Sequence, residues 1–137
     1  MNFFGKINRI FLTLRCVARV CVSGKANQVP VDVSQIIVVP TGKLGDVVCS
    51  TPVLSAIRKN FPQAHVIVAG VSKLCRPILA DSGLVDEYLD LYEEGAMEHV
   101  KDCHADAAIV TGPSFVPTAL LYLAGIPLVV APRVVGG

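Results

Sequence analysis

Short apolar runs alternate with amphipathic or polar stretches along most of the chain. Five runs rich in β-branched residues predict strands at 36–39, 65–69, 88–92, 107–111 and 128–131. The stretches between them predict helices that begin after Gly45 and end at Asn60, and then cover 72–80, 94–102 and 115–124. Strands that alternate with helices pair in parallel through right-handed crossovers. The pattern therefore predicts an α/β domain with a doubly wound, parallel, Rossmann-like sheet.

Residues 1–22 instead show the period of a helix. On a helical wheel of 100° per residue, the polar side chains lie on one face and the apolar side chains on the other. Of the apolar residues, only Leu12, Cys16 and Val20 fall outside the apolar face. The contiguous apolar arc consists of Phe3, Phe4, Ile7, Ile10, Phe11, Leu14, Val17, Ala18, Cys21 and Val22. Because Arg15 and Arg19 interrupt the apolar run, the segment fits neither a secretory signal nor a membrane-spanning helix. Two interpretations stay open: a helix on an anionic membrane surface, or one docked on a partner domain.

Charge is divided unevenly along the chain. Residues 1–31 contain five basic residues and no acidic one, whereas the remainder carries seven basic and eleven acidic residues. A nucleic-acid face would need clustered lysine and arginine on the domain, so no nucleic-acid partner is predicted. An anionic partner is instead expected at the basic leader.

Composition and cysteine usage bound the remaining possibilities. The 137 residues, 53% of them hydrophobic, suffice for one domain with a real core. We assign 1–22 to the amphipathic helix, 23–34 to a linker and 35–137 to the domain. The five cysteines are odd in number and form no C-x-x-C pair, which favours a reducing compartment. This cysteine pattern predicts no metal site, and no cofactor is predicted either.

The loop after the first strand holds the candidate chemistry. Gly42 and Gly45 are expected to let the backbone turn, and Thr41 lies beside them. Loop N–H groups and the Lys43 ammonium could bind a phosphate or an acidic sugar, or Lys43 could point into solvent. Asp46 falls at the carboxyl end of the strand beside a helix N-terminus, where open α/β sheets bind ligands. Its carboxylate could serve as a general base or only as a helix cap.

A second polar contact is expected from Ser114, which follows the fourth strand and so reaches the same edge of the sheet. The ordered motifs resemble those of glycosyltransferase family 9, the lipopolysaccharide heptosyltransferase-like enzymes, over roughly residues 35–127. The matching residues are Gly45-Asp46, Thr51-Pro52, Phe61-Pro-Gln-Ala-His65, Cys75-Arg-Pro-Ile-Leu79, Val85-Asp-Glu87, Ser114-Phe115 and Ala124-Gly-Ile-Pro127. Val116 and Pro117 stand where relatives carry a lysine after the Ser-Phe pair.

The resemblance implies the N-terminal, acceptor-binding half of an inverting transferase of the GT-B arrangement, truncated before its second domain. Asp46 would be the general base, and Thr41, Gly42, Lys43, Gly45 and Ser114 would contact the acceptor. A heptose-like sugar would move from a nucleotide sugar, held by the missing second domain, to a lipid-linked acceptor like the lipopolysaccharide core. The enzyme would work at the inner face of the cytoplasmic membrane, and this chain alone is expected to be inactive.

Two other functions are compatible with the same residues. A Rossmann-like domain could bind a nucleotide or phosphate for another reaction. However, the chain has no G-x-G-x-x-G, and Ala69-Gly70 replace the acid that would bind a ribose. A non-catalytic remnant tethered to the membrane by its leader is the other possibility.

Overall fold

The structure is a computed structural model that describes residues 11–19, 32–40 and 43–132. Predictions for the rest of the leader, for most of the linker, and for Thr41 and Gly42 lie outside the described residues. Within the described residues, no helix combines the length and the apolar character needed to cross a bilayer.

Five parallel strands form a single sheet, as the alternation predicts. They are β1 (Gln35–Val39), β2 (His65–Ala69), β3 (Glu87–Leu89), β4 (Ala107–Val110) and β5 (Leu128–Val130). The spatial order is β3-β2-β1-β4-β5, and every neighbouring pair is parallel. The first strand of the chain therefore lies at the centre of the sheet.

Six helical segments accompany the sheet in the part of the chain that the structure describes. They are α1 (residues 11–19), α2 (Leu44–Cys49), α3 (Thr51–Asn60), α4 (Pro77–Ala80), α5 (Ala96–Asp102) and α6 (Phe115–Ala124). α6 and β2 have the predicted bounds. α4 is shorter than predicted, since residues 73–76 form turns before Pro77. α5 begins only after Gly95, whose φ of 84° is a left-handed conformation that favours glycine.

The predicted first helix is divided in two at Ser50. Pro52 has no N–H, so it cannot donate to the carbonyl of Val48 four residues earlier. The Thr51 hydroxyl donates to that carbonyl instead, at 2.7 Å, and the Ser50 hydroxyl donates to the carbonyl of Val47 at 2.6 Å. The two hydroxyls thus satisfy carbonyls at the break, and a separate short helix, α2, remains beside the end of β1.

Both faces of the sheet are covered, which confirms the doubly wound architecture. On one face the core consists of Ile36, Val38, Val66 and Val68 from the strands with Val47, Leu54, Ile57 and Leu79 from α2, α3 and α4. On the other face it includes Ile37, Val39, Ile67, Ala108 and Val110 with Val100 and Leu121 from α5 and α6. Successive side chains of a strand point to opposite faces, so an unbroken apolar run such as β1 supplies both cores.

Two aspartates fix strand register at the amino edge of the sheet. A carboxylate oxygen of Asp106 accepts hydrogen bonds from the Ser34 and Gln35 N–H groups at 2.8 and 2.9 Å, and from the Ser34 hydroxyl at 2.9 Å. Asp86 repeats the arrangement one strand pair away. Its carboxylate accepts from the Val66 N–H at 2.7 Å and from Arg58 at 2.6 Å. Each aspartate precedes one strand and binds the first residues of the strand beside it.

Candidate functional site

The strand order creates a crevice at the carboxyl edge of the sheet. From the central β1 the chain winds outward through β2 and β3, then returns to the other side of β1 to form β4 and β5. The connections after β1 and β4 therefore leave in opposite directions, and open α/β sheets bind ligands at such a switch point. The Thr111 N–H donates to the carbonyl of Val39 at 3.0 Å, so the two strand ends are held side by side.

Lys43 forms one wall of this crevice. It is the N-cap residue of α2, in an extended conformation, and its carbonyl accepts the Val47 N–H at 3.1 Å. Its side chain is exposed, and within the described residues no carboxylate pairs with it. The ammonium group is thus available to an anionic ligand at this edge.

Asp46 lies in the first turn of α2, three residues after the N-cap. It is half-buried. The helix cap is Lys43 and makes no side-chain capping bond, so the interpretation of Asp46 as the N-cap residue is wrong. Within the described part of the chain, no side-chain hydrogen bond or ion pair involves the Asp46 carboxylate. A carboxylate without such partners can accept a proton from a bound ligand.

Gly45 has a different role from the sharp turn that the sequence suggests. It lies inside α2, its φ is not left-handed, and a Cβ built on it would meet no atom of the described residues within 4 Å. The backbone therefore does not require glycine at this position. The missing side chain instead leaves open space next to Asp46, where a ligand could approach the helix closely.

Substitution of Gly45 by alanine is expected to separate folding from binding. Alanine favours a helix interior over glycine by about 0.8–1 kcal/mol, so the free energy of unfolding should rise by up to that amount. If a ligand approaches α2 here, its affinity should fall in the same variant. Chemical denaturation and ligand titration measure the two effects. Ala56→Gly, at an exposed position of α3, is the matched reverse change and should lower stability without changing affinity. Unchanged affinity in Gly45→Ala would show that no ligand uses this space.

Ser114 lies on the second wall of the crevice. It is the N-cap residue of α6, but its hydroxyl makes no capping bond. Its carbonyl accepts the Thr118 hydroxyl at 2.7 Å, while its N–H donates to the Gly112 carbonyl at 2.8 Å. The hydroxyl thus has no partner within the described residues and can serve a ligand. Topology brings Lys43, Gly45, Asp46 and Ser114 to neighbouring strand ends; Thr41 and Gly42 lie outside the described residues.

Arg76 is a further cation, after β2, for which the sequence leaves two positions open: facing the crevice or in solvent. Its guanidinium lies 5.3 Å from the centre of the Tyr88 ring, and the Tyr88 hydroxyl donates to the Arg76 carbonyl at 3.2 Å. Nε of Arg76 is buried without a hydrogen-bond partner in the described part of the chain. Burial raises the pKa of Tyr88, against the opposing charge of Arg76. Only the pairing of β2 with β3 brings these two residues together, so no local sequence pattern indicates the contact.

Exposed apolar side chains surround the same edge of the sheet. They follow four different strands and would be costly to leave in water unless a ligand or another surface covers them. These residues are Leu44, Val48, Leu74, Tyr92 and Phe115. The edge therefore combines the Asp46 carboxylate, the polar groups of Lys43 and Ser114, and an apolar rim.

The opposite, amino edge carries a separate hollow of about 360 Å³. Its lining comprises Gln35, His65, Ile67, Glu87, Leu89, His99, Asp102 and Cys103. Burial, together with the charges of Glu87 and Asp102, raises the pKa of the Cys103 thiol, which disfavours the nucleophilic thiolate. Across the described residues, no group of three or more His, Cys, Asp or Glu side chains is arranged to hold a metal ion.

The fold is an open, parallel α/β sheet whose topological switch point lies between β1 and β4, where proteins of this class bind ligands. No protein-family profile matches this chain, and no curated protein sequence does. Among solved structures, the chain is similar to the ADP-heptose LPS heptosyltransferase II of E. coli. The TM-score is 0.63 and the identity 24%, over 71% of this chain and 30% of that one. It is also similar to the family 9 glycosyl transferase of Veillonella parvula DSM 2008, with a TM-score of 0.57 and 20% identity over 75% and 33% of the two chains.

The chain thus spans about a third of the length of these two transferases. At such identities the likeness concerns the fold. It confirms the predicted fold class, and it confirms the resemblance to glycosyltransferase family 9 at the level of the fold. This chain has a glycosyltransferase-like fold.

Proposed function

We propose that this chain is the acceptor-binding part of an inverting glycosyltransferase, with Asp46 as the general base. The observation that carries the proposal is the position of Asp46 in the first turn of α2 and of Ser114 at the N-cap of α6, which follow the two strands beside the switch point. The fold, similar to that of two glycosyltransferases, supports the same reaction class.

The reaction needs a general base beside the acceptor hydroxyl, and we assign that role to Asp46. The acceptor hydroxyl attacks the anomeric carbon of the nucleotide sugar while the bond from that carbon to the diphosphate oxygen breaks. The electron pair leaves with the nucleoside diphosphate, and the hydroxyl proton passes to the Asp46 carboxylate. Attack opposite to the departing group inverts the configuration of the anomeric carbon. Asp46 is half-buried at the crevice, so a bound acceptor could shield it from water while leaving it accessible to the hydroxyl.

The other groups of the crevice match an acidic, lipid-linked sugar acceptor. The exposed Lys43 ammonium would bind a carboxylate or phosphate of that sugar, and the Ser114 hydroxyl would bind one of its oxygens. Because Gly45 has no side chain, a sugar could approach α2 closely at this position. We assign Thr41 and Gly42 to the same contact, and the donor, a heptose-like nucleotide sugar, to protein outside this chain. A lipid-linked acceptor would place the enzyme at the inner face of the cytoplasmic membrane, with residues 1–22 against the lipid.

Ligand titration of the isotope-labelled chain tests the proposal. An acidic sugar such as Kdo should shift backbone amide signals of Lys43, Asp46 and Ser114, whereas an ADP-sugar should shift them weakly. Lys43→Gln should weaken binding of the acidic sugar by about tenfold, since a charge-assisted hydrogen bond is lost. Lys59→Gln is the matched control. Lys59 is in the last turn of α3, away from the carboxyl edge, so this variant should bind as the wild type does. Preferential binding of the nucleotide at this edge would favour the Rossmann-like nucleotide-binding alternative instead.

A further inference from the structure

Helix α1 is docked on the domain through an arginine. Nη1 of Arg19 donates to the carbonyl of Leu123 at 2.7 Å, and its guanidinium lies 5.5 Å from the centre of the Tyr122 ring. These contacts are at the C-terminal end of α6, where unpaired carbonyls and the helix dipole favour a cation. Gly125 ends α6 in a left-handed conformation, and a Cβ there would lie 3.2 Å from Nη2 of Arg19. The glycine therefore leaves room for the guanidinium.

The docked face of α1 is not its main apolar face. Leu12 is only 7% exposed, Cys16 and Arg19 are half-buried, and their spacing places all three on one side of the helix. Burial raises the pKa of the Cys16 thiol, while the charges of Arg15 and Arg19 oppose that shift. Leu12 and Cys16 are two of the three residues that fall outside the apolar arc on the helical wheel. The domain thus packs against a side of α1 that the wheel leaves unexplained.

The large side chains of the apolar arc that the structure describes remain in solvent. Phe11 is 56% exposed, Leu14 64% and Val17 54%, although the helix is held in place on the domain. A docked helix has a fixed orientation, so these three side chains form a persistent outward surface, which we call the outer face. An apolar surface of this kind is stabilised when another apolar phase covers it.

Charge indicates which phase covers the outer face. Arg15 is exposed and lies over the ring of Phe11, at 5.6 Å, so a cation borders the apolar side chains. The first 31 residues contain four further basic residues and no acidic one. A second copy of the same surface would bring like charges together, whereas an anionic bilayer offers both an apolar interior and opposite charge.

We propose that the outer face of α1 binds an anionic membrane surface while Arg19 keeps the helix attached to the domain. α6 begins next to the crevice at Ser114 and ends at the amino edge, so the Arg19 contact is at the end of α6 remote from the crevice. The lipid contact and the crevice are therefore separate surfaces. The inference does not depend on the proposed reaction, because lipid binding is measured without any sugar.

Tryptophan fluorescence tests the surface residue by residue, because the chain contains no tryptophan. In Leu14→Trp, vesicles of phosphatidylcholine with a third phosphatidylglycerol should shift the emission to shorter wavelength. Phe61→Trp is the matched control: Phe61 is 41% exposed at the end of α3, on the face of the sheet opposite α6, and should show no shift. A shift in both variants, or in neither, would overturn the proposal.

Co-sedimentation with the same vesicles measures how much charge attraction and apolar contact each contribute to binding. Arg15→Gln should reduce binding about fivefold, as expected for one cation near an anionic surface, and added salt should weaken binding further. The double change Leu14→Glu and Val17→Glu should reduce it more than tenfold, since it removes apolar contact and adds repulsion. Both positions are exposed, and circular dichroism checks that the fold persists. Equal binding to pure phosphatidylcholine, or concentration-dependent dimers that these changes abolish, would contradict lipid as the partner.

Discussion

Asp46→Asn is expected to lower sugar transfer by about 10²–10⁴-fold in a transferase in which this chain works together with a donor-binding domain. Asparagine keeps nearly the same shape but cannot take the proton of the acceptor hydroxyl. The structure shows Lys43, not Asp46, as the N-cap residue of α2, so loss of the carboxylate removes only a favourable charge in the first turn. That change costs about 0.3–1 kcal/mol. Turnover at saturating substrates and urea denaturation of the same variant measure the two quantities.

Glu93→Gln is the matched control for this experiment. Glu93 is an exposed carboxylate on the loop after β3, at the same edge of the sheet, and has no proposed role. Its turnover should stay within about twofold of the wild type, in keeping with the small effect of most surface substitutions. If Asp46→Asn remains folded and keeps more than about a tenth of its activity, Asp46 is not the base.

Asp106→Ala should lower the free energy of unfolding by about 1.5–3 kcal/mol. One carboxylate oxygen of Asp106 accepts three hydrogen bonds, from the N–H and the hydroxyl of Ser34 and from the Gln35 N–H. Its removal therefore leaves the start of the central strand unsupported. Glu94→Ala, an exposed acid outside the helices and strands, should change stability by less than about 0.5 kcal/mol. Equal effects of the two substitutions would show that the Asp106 bonds contribute nothing net.

The contribution of Asp106 should also depend on pH. The N–H groups of Gln35 and Ser34 lower the pKa of this carboxyl below its ordinary value of 3.8, against a small opposing effect of burial. A lowered pKa in the folded protein means that the stabilisation is complete above the unfolded-chain pKa and is lost as pH falls through the folded one. The difference between wild type and Asp106→Ala should thus be constant above about pH 5 and shrink below about pH 4. A difference that grows on acidification would contradict this sign.

The strands and helices could be predicted from local pattern because each depends on residues close in sequence. Unbroken β-branched runs indicate strands buried on both faces, and β2 and α6 were predicted to the residue. The break at Ser50 was missed. Pro52 is compatible with the first turn of a helix, so it could begin a second helix as well as interrupt the first. The pairing of β1 with β4 joins residues about 70 positions apart, and no local pattern encodes it.

The sequence by itself determined the class of fold, the position of Asp46 at a strand end, and the amphipathic period of the leader. These follow from side-chain alternation, glycine and proline, which act over a few residues. Only the tertiary structure decided that β4 pairs with β1, which puts Asp46 and Ser114 on either side of the switch point, and that α1 contacts the domain through Arg19. The reason is that helix packing depends on particular partners. The carbonyl of Leu123 and the space at Gly125 bind Arg19, and this contact leaves the more apolar face of α1 in solvent.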